Sequence, residues 1–358
     1  MIKYNQVGFA FKLWVMTSLM LGQLSADGQI GGLYTFDFLN LTASARSTAL
    51  GGFPIAVADD DIAQGYANPA LINEKMSHHL SFNHNFHFAD ISHGFISYGL
   101  AMPDQKMSFM IGANYINYGD FDRSDVFGNR NGQFGTSENA VTIGVSRQMD
   151  ERLSLGVNLK YVNSSFDTYS SSGMGIDIGL HYRNPDKNSN WAFVIKNAGG
   201  QFSSFDLERE AFPIDIQLGY AKRLEHLPFR FMITAHKLQQ WNLRSPNDEL
   251  ITSSFIGQDP QSASGLSRTV DNFFRHLAFG GELLLGKNEV FKLRFGYNHL
   301  RNKELAVEGF RSLSGFSFGF GFKVKKLRFD YGVGRYHLAG GVNHLSVALD
   351  LNSFFNKL

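Results

Sequence analysis

Four histidines lie between positions 78 and 87, in the sequence HHLSFNHNFH. Imidazole is a common metal ligand, so metal binding is the first chemistry to consider. On a β-strand, however, His84 and His87 point to opposite faces, and His79 is five positions away from His84. No three of these side chains converge. We therefore predict no metal site and interpret the histidines as polar positions on a first strand near a membrane interface.

Three consecutive aspartates, Asp59 to Asp61, suggest calcium binding, but they lack the Asp-x-Asp-x-Asp-Gly spacing with a glutamate at the twelfth position. Capping of a short helix over residues 62–66, or a salt bridge between Asp60 and Arg46, is favoured instead. The glycines of GFSFGFGF, residues 315–322, lie within a strand pattern that no helix follows, which argues against a nucleotide-binding loop.

Catalytic groups are not identifiable in this sequence. It has no recognisable Ser/His/Asp set, carboxylate pair or nucleophile elbow, so we expect a protein that is not an enzyme and needs no cofactor. The chain has no cysteine, which excludes disulfides, thiolate catalysis, cysteine-ligated zinc and a lipoprotein anchor. Its formal net charge of +1 shows no basic excess, so we expect no nucleic-acid partner.

The first 28 residues have the pattern of a secretory signal peptide. Lys3 and Lys12 precede an apolar run over residues 13–24, and the small residues Ala26 and Gly28 follow it. The run is short for a bilayer span, which makes an N-terminal membrane anchor the less favoured alternative. No later apolar run approaches the roughly 20 residues that a membrane helix needs. If the mature protein lies in a membrane, it must therefore be a β-barrel.

The stretch LSGFSFGFGFKV, residues 313–324, places phenylalanine at every second position from Phe316 to Phe322, with serine or glycine between. Such alternation, apolar towards lipid and small or polar towards a lumen, is typical of transmembrane barrel strands. It recurs in about 14 segments, which begin near residues 79, 91, 106, 138, 152, 173, 190, 212, 228, 275, 289, 313, 326 and 343. We predict an all-β fold, an antiparallel transmembrane barrel of about 14 strands. A soluble β-sandwich or barrel is less favoured, because aromatic residues lie along most strands and the opposite face is not uniformly charged.

Connection lengths support the barrel, because outer-membrane barrels have short periplasmic turns and longer outer loops. The even-numbered connections are short, and most odd-numbered ones are long. Long loops at 119–135 and 240–271 carry apolar residues that suit a protein interface, although packing over the barrel mouth explains them equally well. The candidate partner-binding residues are Phe121, Phe127, Phe134, Trp241, Ile251 and Phe255.

Charged residues on the inward face have mixed signs, which favours a structural lining over a transport path. They are Lys160, Asp177, Arg183, Lys292, Arg294, Lys323, Arg328, Asp330 and Asp350.

Residues 29–76 lack the strand alternation. A run of small residues over 41–50 is compatible with a helix that Gly51 and Gly52 would terminate. We predict a signal peptide over 1–28, a partly helical plug over 29–76 that folds into a glycine-lined lumen, and a barrel over 77–358.

Two strings in this segment, FLNLTASARSTALGG and ADDDIAQGYANPALI, resemble the plug motif of the FadL-like outer-membrane proteins. They resemble more closely the PorV and PorQ branch found in the type IX secretion system of Bacteroidetes. The resemblance covers the first fifth of the mature chain, and the remainder matches in barrel size and strand rhythm. The matching positions are Phe38, Leu39, Ser44, Ala45, Arg46, Gly51, Gly52, Asp60, Asn68, Pro69 and Ala70.

This resemblance implies an outer-membrane component of the surface attachment complex, working beside PorU, PorV and the surface protein PorZ. In that complex, exported cargo is processed and joined to anionic lipopolysaccharide. The implied role is to anchor a PorZ-like partner, whereas the sortase-like chemistry belongs to PorU. The alternative is a FadL-type transporter of hydrophobic ligands such as long-chain fatty acids. It would need an apolar pocket in the lumen and a plug that shifts.

Overall fold

The computed structural model describes residues 34–87, 91–206, 208–244, 265–305, 313–337 and 340–352. The predicted signal peptide and the candidate residues Ile251 and Phe255 lie outside these ranges. Within them, 14 strands form one closed antiparallel barrel, in which β1 pairs with both β2 and β14. The predicted fold class is confirmed. No helix in the described ranges is long and apolar enough to cross a membrane.

The strands follow one another around the barrel in sequence order. They are β1 (His79–Phe86), β2 (Ser92–Met102), β3 (Met107–Ser124), β4 (Arg130–Gln148), β5 (Leu153–Phe166), β6 (Tyr169–Asn184), β7 (Ser189–Ser203), β8 (Asp215–Arg223), β9 (Phe229–Ala235), β10 (Leu277–Leu285), β11 (Phe291–Asn298), β12 (Phe316–Val324), β13 (Leu327–His337) and β14 (Gly340–Asp350).

The barrel carries its apolar side chains on the outside. On β12, Phe316, Phe318 and Phe320 are exposed on the outer surface, whereas Ser317 and Gly321 are buried on the inner surface. Exposed apolar residues on other strands include Ile111, Ile143, Ile178, Leu218, Leu293 and Leu345. A water-soluble protein buries such residues, so this surface suits the hydrocarbon core of a bilayer, where a closed barrel leaves no backbone edge unpaired.

Short helices accompany the strands. They are α1 (Ala45–Ala49), α2 (Gln64–Ala67), α3 (Gly265–Arg275) and α4 (His299–Glu304). The Ser44 hydroxyl caps α1 by accepting a hydrogen bond from the Ser47 amide at 3.2 Å. Gly51 and Gly52 follow α1 with φ of 82° and 105°, the left-handed conformation that ends a helix as predicted. The second helix begins at Gln64 rather than Ile62, because an aspartate-stabilised turn precedes it.

Residues 34–76, which we call the plug segment, lie inside the barrel. Three apolar clusters join this segment to the wall, with plug residues such as Phe38, Ile55 and Tyr66 and wall residues such as Phe95, Val162 and Val194. The inner wall approaches the plug closely where it carries glycine. A Cβ added at Gly332 would lie 2.2 Å from the carbonyl oxygen of Ala45. One added at Gly156 would lie 2.3 Å from the carbonyl carbon of Pro69. Larger residues at these positions would clash with the plug backbone.

The prediction of a long loop over residues 119–135 is wrong, because most of these residues belong to strands β3 and β4. β3 and β4 continue through it, with Asp120 opposite Gly135 and Phe121 opposite Phe134. Beyond the membrane both faces of this hairpin are wet, so the apolar alternation that marks the other strands is missing. Strand β8 begins at Asp215 rather than near 212, after Pro213, which has no backbone N–H to donate to the sheet.

Candidate functional site

A buried ion cluster holds the plug segment to the barrel wall. The Arg46 guanidinium donates from Nε to Oε1 of Glu282 and from Nη2 to Oε2, both at 3.0 Å. Arg46 also contacts the carboxylates of Asp59 at 2.7 Å and Asp61 at 3.6 Å. Parallel donation by a guanidinium to a carboxylate is among the strongest and most directional ion pairs in proteins. Arg46 therefore fixes both the fold of the plug and its position against β10.

Glu282 is the centre of the wall side of this cluster. Its carboxylate accepts hydrogen bonds from Arg230 at 3.2 Å and from Arg294 at 2.9 Å in addition to Arg46. Arg294 continues to Asp330 at 2.6 Å, so the network passes across β9, β10, β11 and β13. Charges of both signs alternate along it. The arrangement is the structural lining that the mixed inward charges predict.

The predicted pair between Asp60 and Arg46 is wrong. Asp60 instead contacts Lys323 at 2.7 Å and Arg328 at 3.3 Å, near the turn between β12 and β13. Consecutive residues of an irregular segment point in different directions, so Asp59 faces Arg46 while Asp60 faces the wall. Asp60 thus forms a second, more exposed attachment of the plug.

The remaining motif residues also make structural contacts. The Asn68 side chain accepts a hydrogen bond from the Ala70 amide and donates one to the Ile55 carbonyl, both at 2.9 Å. Pro69 begins the 3₁₀ turn Pro69–Leu71, which lies against Gly156. The motif residues Arg46, Asn68 and Pro69 thus fold the plug and seat it against the wall.

A lysine pair lies over an aromatic ring at another side of the lumen. Nζ of Lys160 is 2.8 Å from the Asp177 carboxylate and 4.4 Å from the centre of the Tyr66 ring, and Lys196 is 5.2 Å from the same ring. Cation–π contacts strengthen when water is excluded. The Tyr66 hydroxyl donates to the Leu39 carbonyl at 2.8 Å, which ties two parts of the plug together.

One cleft beside the plug carries many charged side chains. It has a volume of about 220 Å³ and opens between the plug and the wall, and most of its lining is charged or polar. Its lining includes Asp59, Asp60, Lys75, Glu289, Lys292, Lys323, Arg328 and Asp330. Sites for hydrophobic ligands are lined mainly by apolar and aromatic groups. The charged side chains that line this cleft do not fit that pattern.

The histidines of the first strand have separate partners. His79 hydrogen-bonds the Asp60 carbonyl at 3.0 Å, and His84 hydrogen-bonds the Tyr115 hydroxyl at 2.7 Å. His87 instead lies near His93, with ring centres 6.2 Å apart. In the part of the chain that the structure describes, no group of three His, Cys, Asp or Glu residues is arranged to hold a metal ion.

Among the described strands β3 and β4 are the longest, with 18 and 19 residues, and their hairpin projects at the end of the barrel with long loops. Val126 and Phe127 form its tip and are 94% and 86% exposed. Below the tip, Phe121 and Phe134 stack with ring centres 5.6 Å apart. Asp125 closes the turn, because its carboxylate accepts hydrogen bonds from Asn129. These bonds, with backbone hydrogen bonds, lower the pKa of Asp125.

Trp241, another predicted partner residue, lies at the same end but away from the hairpin. Its ring stacks on His276 at 5.6 Å, and its carbonyl accepts a hydrogen bond from the Asn272 amide at 2.6 Å. The structure therefore does not bring the described candidate residues into one patch.

Sequence reasoning missed Glu282 and helix α3. Only the single glutamate in the apolar strand LAFGGELLL could have indicated the first.

Comparisons with known proteins found no matching family model and no matching curated protein. Among solved structures, the chain is similar to the Pseudomonas putida toluene transporter TodX, with 13% identity, a TM-score of 0.49 and coverage of 88% of this chain and 97% of that one. It is similar to the monoaromatic hydrocarbon channel CymD, with 13% identity, a TM-score of 0.49 and coverage of 87% and 97%. A Pseudomonas aeruginosa FadL homologue has 12% identity, a TM-score of 0.44 and coverage of 86% and 98%. Likeness at this level carries no information about cargo or partner.

Proposed function

We propose that this chain is a non-enzymatic, PorQ-like outer-membrane component of the type IX secretion system of a Bacteroidetes bacterium. In this role it anchors a PorZ-like surface protein beside PorU and PorV, where cargo is processed and attached to anionic lipopolysaccharide. The plug motif supports the family, and the short entry GGLYTFDFL favours the PorQ type over the PorV type. The observation that carries the anchoring role is an apolar hairpin tip projecting from a barrel whose lumen is plugged.

The length of the hairpin supports a tip that projects well outside the bilayer. Strand β3 has 18 residues, whereas a transmembrane strand needs about ten, so roughly eight residues, or about 25 Å of strand, lie beyond the membrane. The apolar outer face of β3 ends at Tyr115, which agrees with this estimate. A free two-stranded hairpin is only marginally stable in water. Exposed Val126 and Phe127 at such a tip suit insertion into a partner protein.

The plug favours a scaffold over a channel. Arg46 and Glu282 are 2% and 0% exposed, and their ion pair has to break before the plug can move away from β10. Breaking a buried ion pair costs up to about 3–5 kcal/mol. Arg46 would keep only Asp59 and Asp61, and Glu282 would keep only Arg230 and Arg294. A rigid plug suits a platform that holds another protein.

The alternative is a FadL-type transporter of hydrophobic ligands. It requires an apolar lumen pocket and a plug that shifts on binding. The cleft beside the plug is lined by Asp59, Lys292 and Arg328, which would repel a fatty-acid chain. The charged lining and the locked plug together favour the anchor.

Mass spectrometry of proteins and lipids, on the chain purified in mild detergent from its native outer membrane, tests the proposal. We expect a stoichiometric surface protein, together with PorU and PorV, and no retained fatty acid. Bound fatty acid without a protein partner would overturn the anchor and establish the transporter. Purification of the chain alone, with neither, would also contradict anchoring.

A further inference from the structure

Helix α3, at the outer end between β9 and β10, is oriented with its polar side against the protein. Asn272 and Arg275 are buried, although asparagine and arginine normally face water. Leu266 and Phe273 are 77% and 50% exposed, and Val270 and Phe274 are exposed beside them. The spacing of these four residues places them on one face of the helix. The helix thus presents an apolar stripe outwards.

The polar side of α3 is firmly held. The Asn272 side chain accepts a hydrogen bond from the Leu243 amide at 2.9 Å and donates one to the Trp241 carbonyl at 2.6 Å. Asp271 contacts His299 of α4 at 3.2 Å, and Arg275 donates to the Leu243 carbonyl at 3.3 Å. These contacts fix the helix to the barrel mouth through its hydrophilic residues. The outward orientation of the apolar stripe is therefore set by specific bonds.

The apolar stripe is continuous with the lipid-facing surface of the barrel. The Phe274 ring lies 6.1 Å from the His299 ring, which hydrogen-bonds the Tyr297 hydroxyl at 2.8 Å. Tyr297 packs on Phe316 at 4.7 Å, and the two residues are register partners on β11 and β12. Both Tyr297 and Phe316 belong to the outer face of the barrel, at the end where aromatic residues mark the membrane interface. A chain of ring contacts thus leads from α3 to the membrane belt.

We propose that α3 lies in the outer leaflet of the membrane, with Leu266, Val270, Phe273 and Phe274 in contact with lipid acyl chains. The helix extends the apolar belt of the barrel at its outer rim. Amphipathic helices at bilayer interfaces bury one apolar side in this way while their polar side stays outside the hydrocarbon. Continuity with the belt selects lipid over a protein partner. The inference requires only that the barrel lies in a membrane, and it is independent of the proposed anchoring role.

Single-cysteine variants test this location, because the chain has no native cysteine. L266C and F273C would each be labelled with a nitroxide in protein reconstituted into phosphatidylethanolamine and phosphatidylglycerol vesicles. The measurement is the collision rate of the label with oxygen, which concentrates in lipid, relative to that with a water-soluble nickel chelate. F318C on the outer face of β12 gives the lipid reference, and V126C at the hairpin tip gives the water reference.

We expect the oxygen-to-nickel ratio at Leu266 and Phe273 to match that at Phe318 and to exceed that at Val126 several-fold. A ratio equal to that at Val126 would place the stripe in water and overturn the proposal. Protection from both reagents would show that protein covers the stripe, residues 245–264 being the nearest segment in sequence, and would also overturn it. Leu266 is the more exposed position, so its label decides the result if F273C disturbs the docking of the helix.

Discussion

Arg46 and Glu282 are 236 residues apart in sequence, yet inside the barrel they form two parallel hydrogen bonds of 3.0 Å. The pair joins helix α1 of the plug to β10 of the wall. The Glu282 side chain is fully buried among three arginines, so water cannot replace the arginines as its partners. One wall carboxylate therefore pairs with the plug and with two arginines of the neighbouring strands.

Glu282→Gln is predicted to loosen the plug and destabilise the barrel. The substitution keeps the size of the side chain but leaves Arg46, Arg230 and Arg294 without their shared anion. We expect a loss of about 3–5 kcal/mol in the free energy of unfolding. Urea denaturation in detergent measures this loss, and planar-bilayer recordings would detect ion conductance through a displaced plug.

The control for this change is Arg152→Ala, which removes an exposed ion pair with Asp186 in a short turn. Exposed pairs contribute about 0–1 kcal/mol, so stability should hardly change. Equal losses in the two variants would show that burial of the Arg46–Glu282 pair has no special effect.

A second prediction concerns the glycine wall. Gly332→Val would place a side chain against the Ala45 carbonyl oxygen, which already lies 2.2 Å from the position of a Cβ. Backbone cannot move as readily as a flexible side chain, so the plug should shift, at a cost of about 1–3 kcal/mol or more. Limited trypsin digestion would report this shift as new cleavage after Arg46.

Gly200→Val is the matched control, because a Cβ at Gly200 meets nothing within 4 Å. A strand accepts valine readily, so this variant should resist trypsin as the unmodified chain does. If Gly332→Val also leaves Arg46 protected, the close approach of wall and plug does not hold the plug in place.

The strands could be predicted from sequence because each carries its own evidence. The alternation of Phe316, Phe318 and Phe320 with small residues indicates which side of the strand faces lipid. This prediction needs no residue that is distant in sequence. The helix of the plug motif could also be predicted from residues close in sequence, since Ser44 caps α1 and Gly51 ends it.

The ion pairs between the plug and the barrel wall could not be predicted in this way. The choice of Asp59 over Asp60 by Arg46 depends on the path of an irregular segment, and the approach of Glu282 depends on the closure of β10 against its neighbours. The β3–β4 hairpin was missed because strands that are wet on both faces have no period-two signal. Helix α3 was missed because its apolar stripe lies next to a long loop, where sequence gives no indication of orientation.

The hairpin tip is predicted to carry the partner-binding energy. The double variant Val126→Ser and Phe127→Ser removes both apolar side chains and leaves the Phe121–Phe134 stack below them intact. Apolar anchors at the centre of an interface contribute about 2 kcal/mol or more, so affinity for the proposed surface partner should fall roughly 30-fold. Biolayer interferometry with the co-purified surface protein would measure this fall.

Leu227→Ser is the control for the hairpin. Leu227 is also an exposed apolar residue, but it lies in the short turn between β8 and β9, at the opposite end of the barrel. Binding should be unchanged in this variant. Unchanged affinity in the hairpin variant would instead transfer the anchoring role to other outer segments, such as the one that contains Trp241.

The last prediction concerns the acid sensitivity of α3. Burial alone would raise the pKa of Asp271, but the hydrogen bond from His299 and the charges of Arg275 and Lys303 lower it below its usual value. The folded chain therefore favours the ionised form, so this stabilisation is complete above the unfolded pKa of about 4 and is lost as pH falls through the folded value. A nitroxide at Leu266 should stay equally immobile from about pH 8 to about pH 5 and become mobile only in stronger acid. Asp271→Asn should weaken the docking by about 1–2 kcal/mol and remove the acid dependence, whereas Asp186→Asn, in an exposed pair elsewhere, should leave the profile unchanged. A label that becomes mobile near neutral pH would show that a group other than Asp271 controls the docking of the helix.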